Sequence, residues 1–122
     1  MIIKKCEKCG ALVKVFKDCT CDNCGIKCCG EELKELVPNT VEASYEKHIP
    51  KYEIKDGRVL VNVEHVMEDV HYIMWVVQVF DNKIVRVNLN PGDKPEVVFP
   101  YVDNCTIFAY CNLHGLWKCE KM

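Results

Sequence analysis

The sequence predicts an all-β protein in which a small cysteine-rich N-terminal module precedes an antiparallel β-sandwich. Three observations predict it. Apolar residues recur with a period of two from Val41 onward, no long segment repeats at 3.6 residues, and turn signals separate the alternating runs at short intervals. Seven of the ten cysteines fall in the first 29 of 122 residues, and all four histidines come after Pro38-Asn39. The chain therefore reads as two domains, 1–37 and 38–122.

In the first domain Ile2-Ile3 and the weak alternation of Ala11 to Phe16 read as short strands, while Glu31 to Val37 fits a turn of helix or a strand equally well. In the second, Arg58 to Glu64 is a strand with Val59, Val61 and Val63 on one face. Tyr72 to Phe80 is too rich in aromatic and β-branched side chains to lie at an edge. Asp81-Asn82-Lys83 turns the chain into Ile84 to Asn90, where Val85, Val87 and Leu89 share a face. Asn90-Pro91-Gly92-Asp93 is a second turn signal, followed by strands at Val97 to Val102 and Thr106 to Tyr110.

Composition narrows the function classes. A net charge of −2 lacks the basic footprint of a nucleic-acid binder. Residues 1–37 carry 7 Lys against 6 acids and the remainder 9 basic against 12 acidic residues, so neither domain suits a charged polymer. No run approaches the ~18 apolar residues of a membrane span, and no secretory signal is visible at the start. A cytoplasmic location follows as the expectation, and there abundant cysteine points to metal more often than to disulfides. A module of 37 residues is also below the roughly 40 at which a domain needs a metal, disulfides or a partner to hold together.

The cysteines supply such a site. Cys6-Glu7-Lys8-Cys9 lets two thiolates grip one ion, and a second pair closes a tetrahedral four-sulfur site suited to iron or zinc. Two second pairs are available, Cys28-Cys29 followed by Gly30, and Cys21-Asp22-Asn23-Cys24. In the second domain Cys111-Asn112-Leu113-His114 puts a thiolate and an imidazole on one tight loop that Gly115 permits. His65 and His71 flank Val66 to Val70, and His48 lies in Glu46-Lys47-His48-Ile49-Pro50. One histidine alone is usually a surface or hydrogen-bonded residue; four in one domain, one of them with two residues between it and a cysteine, bring a metal site level with that reading. Cys105 reads as a small core residue and Cys119, near the terminus, as an exposed thiol.

Glu46-Lys47-His48-Ile49-Pro50, His65-Val66-Met67 through His71-Tyr72-Ile73, and Cys111-Asn112-Leu113-His114-Gly115-Leu116-Trp117-Lys118 resemble the three signature segments of superoxide reductases. With Cys6, Cys9, Cys28 and Cys29 ahead of them, residues 6 to about 118 resemble the two-centre desulfoferrodoxin form of that family. The resemblance implies an immunoglobulin-like sandwich and a catalytic iron held by His48, His65, His71 and His114 in a plane, with Cys111 axial and the opposite face open. It further implies that Lys47 attracts superoxide to that face and that Glu46 occupies the sixth position of the ferric form. A second iron at Cys6, Cys9, Cys28 and Cys29, with zinc as a substitute, a rubredoxin-like electron donor and a homodimer complete what it implies.

Elementary electrostatics agrees. Ferrous iron with four neutral imidazoles and one thiolate carries a formal charge of 2 − 1 = +1, which favours a small anion at an open position, and a thiolate pushes electron density onto iron. The chain differs from the family pattern in three respects. The interval from Cys9 to Cys28 is long and holds Cys19, Cys21 and Cys24; Val66 stands where proline is usual; Cys105 and Cys119 match no motif. Two other classes use part of the same residues. A non-catalytic iron or zinc module would leave the Cys111 to His114 loop without a role, and a thiol-disulfide protein built on Cys21 and Cys24 would lack a βαβ context.

Overall fold

The structure is a computed structural model that describes residues 1–22 and 25–119. The chain divides into two compact units, Met1–Val37 and Pro38–Met122.

In the first unit β1 (Ile2–Lys5) pairs antiparallel with β2 (Leu12–Val15), while β3 (Lys27–Cys28) pairs with β4 (Glu31–Glu32) and β5 (Lys34–Glu35) adds to the free side of β1. The undecided segment from Glu31 is thus two short strand pieces. Cys29 and Gly30, at φ 53° and 79°, form the two-residue loop between β3 and β4. Positive φ at both positions matches the right-handed twist of the strands. The Lys4 ammonium meets the Asp18 carboxylate at 3.0 Å, which anchors the long intercysteine loop to β1. Only Ile3, Cys6, Val15 and Leu33 are buried among the described residues of this unit, too few apolar groups to offset the ordering entropy of the chain.

The second unit contains α1 (Tyr45–His48) and seven strands, β6 (Lys51–Lys55), β7 (Arg58–Asn62), β8 (Ile73–Phe80), β9 (Lys83–Asn88), β10 (Glu96–Pro100), β11 (Thr106–Cys111) and β12 (Gly115–Lys118). They form two antiparallel sheets, ordered β10-β7-β6 and β12-β11-β8-β9, the layered arrangement of an immunoglobulin-like sandwich. Inward-facing Val59, Val61, Val97 and Phe99 of the first sheet share one core with Ile73, Val76, Ile107, Ala109 and Cys111 of the second. Each such aliphatic or aromatic side chain contributes roughly 1.5–3 kcal/mol by leaving water. Buried Gln78 donates from Nε2 to the Pro100 carbonyl at 2.8 Å and so links the two sheets.

Strand β8 has a neighbour on each side, as its apolarity predicts. The expected turn at Asn90 is a type II turn, with the Asp93 amide donating to the Asn90 carbonyl at 3.0 Å and Gly92 at φ 89°. One expectation fails. Cys119 is not an exposed thiol but 5% exposed, because its amide donates to the Ile107 carbonyl and extends the β11–β12 ladder, which turns the side chain inward. Val85, Val87 and Leu89 do share a face, since the unbroken register sets Val85 opposite Gln78 and Val87 opposite Val76; Val87 and Leu89 pack on the core, while Val85 is exposed on this outer strand. Strands β6 and β12 and helix α1 extend the sequence reading. No helix among the described residues is long and apolar enough to cross a membrane.

Candidate metal centres

Five side chains predicted as ligands converge at one end of the sandwich. His48 is the last residue of α1, a single turn closed by the Ile49 amide donating to the Tyr45 carbonyl at 2.9 Å. Pro50 cannot continue that helix, and it holds the preceding Ile49 in an extended conformation. His65 and His71 bracket a loop closed by reciprocal backbone bonds between Glu68 and His71, at 2.9 and 3.1 Å. Cys111 ends β11 and His114 stands in the turn to β12, where Gly115 takes φ 82°. Strand periodicity thus delivers Cys111 from the core side, and one helical turn and two loops deliver the imidazoles.

The four rings form a cycle. Centroids of neighbours are 4.8 Å apart for His48–His65, 4.5 Å for His65–His71, 5.0 Å for His71–His114 and 4.9 Å for His114–His48, while the His48–His71 diagonal measures 6.4 Å. Four nearly equal sides and this longer diagonal match the proportions of a square, a grouping of imidazoles that can surround one metal ion. Ligand atoms of the four histidines and Cys111 all lie within 4.8 Å of one another.

Hydrogen bonds select which nitrogen faces inward. His48 Nδ1 is 2.7 Å from the Ser44 carbonyl oxygen and His65 Nδ1 is bonded to that of Val66. Each ring therefore carries its proton on Nδ1 and turns an Nε2 lone pair inward. His114 presents Nδ1, 3.1 Å from His48 Nε2 and 3.9 Å from Cys111 Sγ. His71 Nε2 is buried with no partner among the described residues. A buried, unpartnered nitrogen costs about 1–3 kcal/mol, and a cation in the square removes that cost. The donor set of four imidazoles and one thiolate fits iron.

Burial dominates the electrostatics of this end. It pushes His48 and His65 below their ordinary pKa of 6.5, with repulsion from neighbouring rings, and from Lys47 at His48, adding to the effect. Burial also pushes the Cys111 thiol upward, although the backbone N–H groups of Leu113 and His114 favour the thiolate. His48 and His65 are thus kept neutral and ready to ligate. Because the unfolded chain takes up protons first, stability is complete above about pH 6.5 and is lost as pH falls through the lower folded values. Metal-free protein is therefore expected to show a lower denaturation midpoint near pH 5 than near pH 7.5, and this acid-side slope shrinks in His48→Phe. An unchanged slope in that variant would mean that His48 is not one of the titrating groups.

The second cluster gathers Cys6, Cys9, Cys28 and Cys29, whose sulfurs lie within 4.8 Å of one another. Cys9 Sγ is 3.7 Å from Cys28 Sγ, and Cys28 Sγ is 3.9 Å from Cys29 Sγ. The Cys9 amide donates to Cys6 Sγ at 3.5 Å and is the chief reason that the Cys6 thiol is lowered to about 7. Sulfur neighbours, Cys9 first, push Cys28 up to about 12. Four adjacent thiols cannot all ionise without a cation between them, and this donor set fits iron or zinc. Exposed Cys21 stands outside the cluster, and Cys24, its partner in the alternative ligand set, lies outside the described residues.

Glu46 and Lys47 are exposed on α1 directly before buried His48. Three supporting groups carry no ligand signature in the sequence. Trp117 is fully buried, stacks on His48 at 4.8 Å and 25°, and donates from Nε1 to the His114 carbonyl at 3.1 Å. Ser44 acts through its carbonyl, and Asn112 bonds the loop that carries His71. The position of Asn112 and Trp117 within the third signature segment was the available signal.

Comparison with known proteins places these features in a lineage. A family model described as Desulfoferrodoxin matches residues 40–120. The desulfoferrodoxin of Desulfarculus baarsii is 40% identical over 127 aligned positions, covering 98% of this chain and 95% of that protein. That of Syntrophotalea carbinolica is 39% identical, covering 97% and 94%. Among solved structures, the superoxide reductase from Treponema pallidum aligns over 97% of this chain and 98% of its own, at 28% identity and a TM-score of 0.70.

Proposed function

The chain belongs to the desulfoferrodoxin family, and from that premise we propose that it is a superoxide reductase whose catalytic metal is an iron held by His48, His65, His71, His114 and Cys111. The observation that carries the proposal is the square of imidazoles, with Cys111 Sγ 3.4 Å from His65 Nε2 and the His71 nitrogen unpartnered. The reaction adds one electron and two protons to superoxide and releases hydrogen peroxide. Iron in that ligand set would supply the electron.

The chain's own residues do the rest. Neutral imidazoles leave the site with a net positive charge that favours an anion. The Cys111 thiolate, steadied by the amides of Leu113 and His114, donates electron density toward the metal. Lys47 precedes a ligand on an exposed turn, close enough for its charge to depress the His48 pKa, and attracts the incoming anion. Glu46, exposed on the same turn, would offer a carboxylate to the metal in its oxidised form. This oxidised state must be reduced again, and the donor is a rubredoxin-like electron carrier.

The four-cysteine cluster of Cys6, Cys9, Cys28 and Cys29 holds a second iron, for which zinc can substitute. The protein acts in the cytoplasm as a homodimer. Metal analysis of anaerobically purified protein tests the scheme, with two metals per chain expected, at least one of them iron. One metal or none after growth with ample iron would contradict it.

Two substitutions separate the roles. Lys47→Ala is expected to slow the second-order reaction with superoxide about tenfold at low salt, within the range that electrostatic steering spans, and to flatten its ionic-strength dependence with the metal content unchanged. Equal rates at low salt would reduce Lys47 to a solvated surface charge. Glu46→Ala serves as the control, altering the oxidised spectrum but leaving the rate of the reduced protein. Joint replacement of Cys21 and Cys24 by serine should leave the N-terminal iron in place, and its loss would move the site to the Cys6, Cys9, Cys21 and Cys24 set.

A further inference from the structure

We infer that Asn112 is a positioning residue for His71, holding that ligand to the loop that carries Cys111 and His114; the inference rests on the metal site proposed above. The Asn112 side chain bonds both sides of His71. Its Oδ1 accepts from the Tyr72 amide at 3.0 Å, and its Nδ2 donates to the Val70 carbonyl at 3.0 Å. Its backbone amide adds a third bond, to the Tyr72 carbonyl at 3.2 Å. One residue of the Cys111 to His114 loop thus fixes the peptide groups on either side of a ligand delivered by a different loop.

The ladder explains why a side chain is needed here. Strands β11 and β8 run in step from Thr106↔Val79 to Tyr110↔Trp75, but then Cys111 pairs with Ile73, a shift of one residue. Past that irregularity the shifted pairing continues through one backbone bond, from the Asn112 amide to the Tyr72 carbonyl, and the Asn112 side chain adds the ties to the Val70 carbonyl and the Tyr72 amide. A primary amide offers a donor and an acceptor in one plane, the same pair that a peptide group offers to a ladder. Aspartate can still accept from the Tyr72 amide but turns a lone pair on the Val70 carbonyl. Alanine provides neither bond.

His71 is the ligand with most need of such support. The rings of His48 and His65 are each aimed by an Nδ1 bond to a carbonyl. Among the described residues the His71 ring makes no such bond, and its Nε2 is buried and unpartnered. The direction of that ring is therefore set through its backbone, which the reciprocal Glu68 bonds close on its own loop and Asn112 ties to the Cys111 to His114 loop. The role is that of an outer partner orienting a metal ligand, exercised through peptide groups rather than the ring nitrogen.

The test uses the full-length iron-loaded protein with Asn112→Ala, Asn112→Asp, His71→Ala and the double variant Asn112→Ala/His71→Ala. The readouts are the rate of iron release from the catalytic site to a chelator, the electron paramagnetic resonance signal of the oxidised protein, and the denaturation midpoint of the metal-free form. Asn112→Ala should speed iron release about 10–100-fold, the usual effect of losing an outer partner, and change the symmetry of the resonance signal. Asn112→Asp should shift both in the same direction. In the His71→Ala background, adding Asn112→Ala should change release by less than about twofold, since the interaction is then already removed.

Wild-type release with an unchanged signal in Asn112→Ala would overturn the inference. So would an equal acceleration with and without His71, which would mark Asn112 as a general structural contact. If Asn112→Ala does not fold, Asn112→Asp decides by the same two criteria. A wild-type protein that holds no iron at this site would instead refute the proposed function, and this inference would fall with it.

Discussion

Replacing Cys111 with serine is expected to abolish the visible sulfur-to-iron absorption of the catalytic site while leaving the spectrum of the N-terminal site intact. The rate with superoxide should fall by more than about 100-fold, beyond the usual cost of losing an outer partner. Cys111 is fully buried at the end of β11, so serine fits the space. The serine hydroxyl is far more basic than a thiol and would remain protonated at neutral pH. The metal would keep four imidazoles and lose its thiolate donor. The same substitution should leave the sandwich folded, because the core around Cys111 is supplied by Ile73, Val76, Ile107 and Ala109. Persistence of both absorption bands would show that Cys111 is not a ligand.

Cys6→Ser carries the second large effect, on folding rather than chemistry. Four buried residues, Ile3, Cys6, Val15 and Leu33, form the interior of the first unit among its described residues, and one of them is the ligand being removed. The binding free energy of a structural metal in a module this small is of order 10 kcal/mol and is largely its folding free energy. The variant should drop from two metals per chain to one, and amides of Ile2–Lys5 and Leu12–Val15 should lose protection from hydrogen exchange. The catalytic unit should retain its iron and its reaction with superoxide. Protected amides in β1 and β2 of the metal-free variant would show that the unit folds without its metal.

Much of this architecture was legible because its signals are local. Alternation placed Val59, Val61 and Val63 on one face, and all three are at most 2% exposed. The apolar run ending at Phe80 could only be an inner strand. The grouping of His48, His65, His71, His114 and Cys111 was legible through the three segments that resemble one family's signatures, whereas any one of the histidines alone would read as an ordinary surface or core residue. Strand β6 escaped because every one of its residues is exposed, which hides a strand whose Tyr52 and Ile54 alternate with charges. The turn that closes it, Asp56-Gly57 at φ 53° and 73°, is a strong hairpin signal that was available. Helix α1 has four residues, too short for any periodicity to register.

The supporting groups were illegible for a different reason. Trp117 in an apolar strand looks like any core aromatic, and its stacking on His48 joins positions far apart in the chain. The partners of Asn112 lie 40 and 42 positions away, and an asparagine beside a glycine-ended turn reads first as a turn residue. The burial of Cys119 depended on how far the β11–β12 ladder extends, which the sequence near a terminus does not reveal. Groups that orient ligands act by geometry alone, whereas the ligands themselves are marked by their chemistry.

The central claim, that this chain reduces superoxide at the His48, His65, His71, His114 and Cys111 iron, is tested most directly by product stoichiometry. Anaerobic, fully reduced protein in excess is mixed with a known amount of superoxide, and hydrogen peroxide and dioxygen are both measured. The account predicts one hydrogen peroxide for each superoxide consumed, no dioxygen, and oxidation of one catalytic iron per superoxide. Half that yield of peroxide with matching evolution of dioxygen would mean dismutation, and consumption no faster than in buffer would mean no reaction at this site; either result would contradict it.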